Sequence, residues 1–208
     1  MIIDTSYFLT KEVLIPNAVV QPSIGSNAPS SLTQLKEFSH EKEEELLLNF
    51  LGYAQLNELK AQFEDTGAWK ANALDKWKNL VDGVGNWKGL RFKIGTSKYS
   101  LIAYYVYFYY IGLDFKQYST TGFSIPVSKE TLWQSPNQSQ TRAWNKFVKM
   151  YQGNKSQGAT FFTNWNGQGV SFMGSSGNEV SLYEYMATSK LYDMSYFNFE
   201  KPINPWGL

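Results

Sequence analysis

The sequence predicts a mainly α protein, a small bundle of four to five helices. A loop-rich C-terminal extension follows, for which loops or a β-hairpin are the alternatives. An uncharged aromatic run, Ser100 to Leu113, repeats apolar residues at helical spacing. Amphipathic segments with the same period lie on both sides of it. After Gly153 the composition changes to Gln, Gly, Ser and Asn. We therefore divide the chain into an N-terminal arm (1–30), a helical core (31–153) and a loop-rich extension with a C-terminal tail (154–208).

The first third of the chain predicts a loop followed by two helices. Met1 to Ile15 fits a short helix or an edge strand, and Pro16 to Ser31 contains the prolines and small polar residues of a loop. In the helix that follows, the acidic block Glu41 to Glu45 is expected to face water as a charged surface. Gly52 ends or kinks this helix, and a second short helix covers Tyr53 to Phe63.

A third helix is predicted from Trp69 to Val81, with Gly83 as its stop. The segment Asp82 to Thr96 contains four glycines that lack the spacing of a phosphate-binding loop. It therefore predicts a tight loop or a small hairpin.

The aromatic run is the predicted centre of the bundle. Its Tyr, Val and Phe content suits a fully covered strand, whereas an N-cap at Ser97 or Ser100 and a stop at Gly112 suit a helix, which we favour. The thirteen residues Leu101 to Leu113 are fewer than the roughly twenty that cross a bilayer. A helix that is apolar all round is surrounded by other helices or by neighbouring subunits.

The later elements have weaker signals. Tyr118 to Pro126 is a polar, turn-rich connection. Pro136 suits the first turn of a helix that ends near Gly153, and Ser181 to Lys190 has helical spacing. The closing sequence YFNFEKPINPWGL is aromatic and non-periodic, so we expect it to pack on its own domain or on a neighbouring molecule in an extended form.

Composition argues against most enzyme classes. The formal net charge of the 208 residues is +1, so no whole-chain field attracts nucleic acid. The chain has no cysteine, and its single histidine, His40, lies in a charged run where a solvated helix face is the simplest role. We therefore expect no catalytic residues, no metal and no cofactor. The sequence MIIDTSYF lacks the apolar h-region of a signal peptide, so we expect the protein on the cytoplasmic side.

Two groups of residues are candidates for contacts with other molecules. Basic residues interleaved with aromatic ones form a candidate nucleic-acid patch, with a solvated loop as the alternative. The aromatic and apolar residues of the C-terminus form a candidate contact with a partner or a neighbouring subunit. The patch comprises Lys88, Arg91, Lys93 and Lys98, and the C-terminal group comprises Phe197, Phe199, Pro205, Trp206 and Leu208.

A cell-wall-degrading or sugar-binding module is an alternative from a different class. The stretch Asn164 to Gly169 has the Trp, Asn and Gly of a sugar-stacking loop, and carboxylates such as Glu58 are available for glycoside hydrolysis. Neither feature is specific, because this is also a common loop composition.

The order of these sequence features resembles that of a known protein family. From Ser31 to Gly153 the chain reads LLLNFLG, YAQLNEL, KWKNLVDG, WKGL, SLIAYYVYFYY, STTGF and RAWNKFVKMYQG. This pattern resembles the head–tail connector (adaptor) proteins of tailed bacteriophages, especially those of Bacteroidetes-infecting and crAss-like phages.

The resemblance implies a virion structural protein without catalytic activity. Connectors of this kind form a ring, usually of twelve subunits, beneath the portal vertex, extend the DNA channel and offer a platform for the next neck or tail protein. The expected partners are therefore other copies of the chain, the portal protein, the next neck or tail protein and the passing genomic DNA, in a virion assembled in the host cytoplasm. The part after Gly153 departs from the shortest members of the family, and we assign it to contacts with neighbouring subunits or the portal. Another tail-completion or assembly factor is the nearest alternative.

Overall fold

The computed structural model describes residues 2–10, 12–15, 31–64, 66–114, 117–119, 122–124, 136–153 and 180–203. The protein is mainly α, as the sequence predicts. Its elements are, in order, a 3₁₀ helix (Thr5–Leu9), α1 (Ser31–Lys60), α2 (Asp75–Asp82), β1 (Arg91–Ile94), β2 (Ser97–Ser100), α3 (Leu101–Asp114), β3 (Gln117–Ser119), β4 (Gly122–Ser124), α4 (Pro136–Gln152) and α5 (Leu182–Ser189).

Helix α3 occupies the centre of the bundle and packs on α1 and α4. The side chains from Leu101 to Tyr107 are all buried. Ser100 caps the helix, because its Oγ accepts a hydrogen bond from the Ile102 N–H at 3.1 Å. The prediction of a central helix is therefore confirmed.

The predicted helix stop at Gly112 is wrong, because α3 continues to Asp114. A Cβ at Gly112 would lie 2.9 Å from the Nε2 of Gln140, which itself donates to the Phe108 carbonyl at 3.1 Å. The glycine thus leaves space for the Gln140 side chain that links α4 to α3, a reason that appears only once the two helices are placed together.

Helix α1 consists of two helical segments that meet at a kink. Gly52 there has φ 68° and ψ 172°, a region of backbone conformation that residues other than glycine strongly avoid. A Cβ at this position would also lie 2.5 Å from the ring of Tyr196. The predicted kink at Gly52 is confirmed.

Helix α2 is shorter than predicted. It begins at Asp75 instead of near Trp69, because Trp69 stacks on Phe63 with ring centroids 4.1 Å apart and the Lys70 N–H donates to the Gln62 carbonyl at 2.9 Å. Gly83, with φ 90°, ends the helix as predicted.

Strands β1 and β2 form the small hairpin expected near the glycine-rich segment. Arg91 pairs with Ser100, and Phe92 pairs with Tyr99, whose ring stacks on that of Phe92 at 5.7 Å. Side chains alternate between the two faces of the hairpin. One face therefore carries Arg91, Lys93 and Lys98.

The N-terminal segment, described for residues 2–10 and 12–15, lies against the bundle. Six of its side chains are buried in the shared core, namely Ile2, Ile3, Tyr7, Phe8, Val13 and Ile15. The predicted loop from 16 to 30 lies outside the described residues, and the domain boundaries remain predictions.

Both predictions for the later helices are confirmed. Pro136 is the first residue of α4, and α5 begins with a capping box in which Ser181 and Glu184 exchange side-chain and backbone hydrogen bonds. The loops or hairpin predicted for 154–178 lie outside the described residues.

Candidate functional site

Arg91 and Lys98, which were predicted to bind nucleic acid, make ion pairs within the chain. Arg91 pairs with Asp82 at 2.7 Å and also donates to the Ile2 carbonyl at 3.0 Å. Lys98 pairs with Asp4 at 3.2 Å. Both therefore hold the N-terminal segment on the hairpin, and their charge is partly compensated.

The other two basic residues lie on opposite faces of the hairpin. Lys93 is exposed on the face that carries Arg91 and Lys98. Lys88 lies over the ring of Phe92, 5.3 Å from its centroid, and so belongs to the other face. The structure thus divides the predicted patch, and Lys93 is its most accessible cation.

The acidic block of α1 does not face water as a unit, so the prediction of a purely charged surface is wrong. Glu43 is only 5% exposed. Its carboxylate accepts the N–H groups of Ile2 at 2.7 Å and Ile3 at 3.2 Å. Burial raises its pKa, although these hydrogen bonds act in the opposite direction.

The helical spacing of the sequence already placed Glu43 on the buried face of α1. Glu43 lies three and four residues before the buried Leu46 and Leu47, and eight after the buried Leu35. These positions share one face of a helix. The charge of Glu43 favoured a solvent-exposed position, but its position in the helical repeat indicated the core.

Glu45 connects α1 to the central helix. It accepts hydrogen bonds from Lys42 at 2.6 Å and from the hydroxyl of Tyr105 at 2.8 Å. Burial would raise the pKa of Glu45, but these two bonds together with the charge of Lys42 outweigh it and the pKa is lowered. Burial is also the largest cause of the raised pKa of Tyr105.

A small pocket of about 210 Å³ lies beside Glu43. Its lining includes His40, which is exposed as predicted, and Glu44, which pairs with Lys60 at 2.6 Å. The two carboxylates are thus already bonded to backbone N–H groups or to a lysine. Within the described ranges, no group of His, Asp and Glu side chains is arranged to hold a metal ion.

The C-terminal segment, residues 193–203, is held by side-chain amides that bond its backbone. Gln152 donates to the Glu200 carbonyl at 2.6 Å and accepts the Glu200 N–H at 2.8 Å. Asn145 binds Ile203 in the same two-bond manner, at 2.7 and 2.8 Å. Each amide therefore satisfies both polar groups of one residue, as a neighbouring strand would.

Two further side chains complete this backbone recognition. Gln55 on α1 bonds both the carbonyl and the N–H of Asp193, at 2.9 and 3.2 Å. The Trp144 indole N–H donates to the Lys201 carbonyl at 2.7 Å. Sequence reasoning missed these residues, because Gln and Asn on a helix are ordinarily surface residues.

The candidate contact residues of the C-terminus have different environments. Phe197 is 8% exposed and stacks on Tyr151 with centroids 4.5 Å apart, so it is a core residue of its own chain. Phe199 is 42% exposed. Pro205, Trp206 and Leu208 lie outside the described residues.

Two exposed tyrosines lie at the kink of α1. Tyr53 is 74% exposed and Tyr196 is 54% exposed. The Tyr196 ring lies against Gly52, the residue before Tyr53. We call these two rings the kink surface.

No family model, no curated protein and no solved structure matches this chain. None of the described helices combines the length and hydrophobicity needed to cross a membrane.

Proposed function

We propose that the protein is a structural subunit of a bacteriophage neck, in which copies of the chain form a ring that joins the portal vertex to the tail. The kink surface carries this proposal. Large tyrosine rings with polar hydroxyl groups are the side chains that anchor protein interfaces. At the kink surface two of them are exposed beside Gly52, where the two segments of α1 meet.

A ring needs two different surfaces on each subunit, since its contacts are head-to-tail. The kink surface supplies one of them. Exposed apolar side chains elsewhere on the molecule, among them Leu74, Val84 and Ile94, supply candidates for the second. The portal protein, the next neck or tail protein and passing DNA are the proposed partners of the assembled ring.

The test is the mass of the particle in solution. We expect mass photometry and negative-stain imaging to show rings, either with the protein alone or with the portal protein of the same genome. Replacing both tyrosines, Tyr53→Ser with Tyr196→Ser, should abolish the rings while the circular dichroism spectrum stays that of a helical protein.

The matched control is Leu9→Ser with Leu14→Ser, which removes two comparably exposed apolar side chains from the N-terminal segment. Rings that survive the tyrosine substitutions would contradict the role of the kink surface. A chain that stays monomeric both alone and with the portal protein would overturn the proposed function.

A further inference from the structure

We call the last part of the described chain, residues 180–203, the C-terminal unit; its buried side chains lie in the same core as those of the bundle. It comprises α5 and the C-terminal segment. The unit is joined covalently to the bundle through residues 154–179, and its described contacts with the bundle are non-covalent. At its start the Val180 N–H donates to the Asn86 carbonyl at 3.3 Å. The Tyr192 hydroxyl then donates to the Lys76 carbonyl at 2.6 Å.

The two ends of this covalent connection lie next to each other. A Cβ on Gly153 would lie 3.0 Å from the Oγ of Ser181. A linker of only a few residues would therefore be enough to connect Gly153 to Ser181. Residues 154–179 reach roughly 90 Å when extended, at about 3.3–3.6 Å per residue, which exceeds the diameter of about 45 Å of a compact chain of this length.

The contacts that hold the unit do not depend on which molecule supplies it. Gln55, Gln152 and Asn145 bond the backbone of the C-terminal segment, and the ring of Phe197 stacks on Tyr151. An identical segment from another molecule would make the same bonds with the same geometry. A second copy of this chain is therefore a partner whose C-terminal unit is known to fit this site.

We propose that the C-terminal unit exchanges between copies, so that residues 180–203 of one molecule occupy the site of another. The contacts are the same in the closed and exchanged forms, so concentration decides between them. A tethered segment has an effective concentration on the order of millimolar. Exchange therefore becomes substantial where copies are crowded together at that level, as they are in an assembly.

Cysteine cross-linking tests the exchange, because the natural chain contains no cysteine. The Asn198 N–H donates to the Asn49 carbonyl at 3.3 Å, so these two backbones are adjacent. We would mix Asn49→Cys chains with Asn198→Cys chains, raise the concentration from micromolar to millimolar, oxidise them and identify the linked peptides by mass spectrometry. A second mixture, Asn86→Cys with Val180→Cys, tests the other end of the unit.

Each pair placed in a single chain serves as the positive control, since it should form a disulfide within that chain. The background is Asn49→Cys mixed with Thr96→Cys, a position at the exposed hairpin turn. We expect both mixtures to give interchain disulfides at least several-fold above this background, with yields that rise with concentration.

Interchain yields at background level in either mixture would overturn exchange of the whole unit. Cross-linking by the Asn49–Asn198 mixture alone would likewise contradict it, because only the segment would then have moved. The inference builds on the proposed ring in needing copies held close together. Ring mass is measured separately, so rings without cross-links would refute the exchange and leave the ring intact.

Discussion

At the scale of single residues, the main surprise is a carboxylate used as a structural acceptor. Glu43 receives the backbone N–H groups of Ile2 and Ile3. Buried N–H groups without an acceptor cost about 1–3 kcal/mol each. The side chain therefore holds the N-terminal segment against α1, although burial of its charge opposes this.

The balance between these effects at Glu43 can be measured as a pH dependence. The pKa of Glu43 is raised above its ordinary value of 4.5, chiefly by burial. From pH 4.5 up to the raised value, the unfolded chain holds fewer protons than the folded one, so the free energy of unfolding falls as pH rises. Below pH 4.5 Glu43 is neutral in both states, and this loss is absent.

We therefore expect the free energy of unfolding of the natural chain, relative to a Glu43→Gln variant, to decrease from pH 4.5 upward and then level off. Urea unfolding at a series of pH values gives this difference. The same substitution at exposed Glu37 should change stability by no more than about 0.5 kcal/mol. A difference that grows with pH would show that the two hydrogen bonds outweigh burial.

At the scale of elements, α3 has two parts with different environments. Its first seven side chains, Leu101 to Tyr107, are buried. Phe108 and Tyr109 are half-buried and line an open groove of about 540 Å³ between α1, α3 and α4. The sequence left open whether the run is core or interface, and the structure places its first half in the core.

Two aspartate substitutions on α3 should therefore have different outcomes. Tyr105→Asp places a charge in the core and removes the hydrogen bond to Glu45, so we expect unfolded or insoluble protein. Phe108→Asp places its charge beside the groove, and we expect a folded protein that is less stable by roughly 1–3 kcal/mol. Circular dichroism and gel filtration distinguish these outcomes.

Tyr105→Phe is the control, since it keeps the ring and removes only the hydroxyl. It should fold and be less stable by about 1.5–3 kcal/mol, the usual worth of a hydrogen bond to a charged group. Folded, soluble Tyr105→Asp would contradict the assignment of this position to the core. A folded Phe108→Asp that no longer forms rings would instead place the second half of α3 in an intersubunit contact.

At the scale of the whole molecule, the sequence correctly predicted those structural features that depend on local sequence signals. The kink at Gly52, the cap at Ser100 and the start of α4 at Pro136 each depend on one residue and its near neighbours. The role of Gly112 depends instead on the Gln140 side chain of α4. Glu43 accepts from residues about forty positions away, and the amide of Gln55 bonds a segment 138 positions away. Such contacts have no local signal, which is why the candidate sites were predicted less well than the helices.

The charge of the whole molecule bears on the proposed contact with DNA. Because the net charge is +1, a single chain should bind duplex DNA too weakly to measure at physiological salt. A ring multiplies each exposed cation by the number of copies. Lys93 is the accessible cation of the predicted patch, so ring binding should depend on it and weaken steeply with salt.

Lys93→Ala and Lys201→Ala make a matched pair, because each removes one exposed cation and brings the formal net charge from +1 to zero. We expect filter binding of duplex DNA to rings over a salt series to give a shallower slope for Lys93→Ala, by about one unit for each phosphate that the lysine neutralises in the natural ring. The slope for Lys201→Ala should stay that of the natural chain. Equal slopes for the two variants would mean that total charge decides binding. In that case the hairpin face would not line the channel, since only a local interaction with phosphate makes the position of the cation matter.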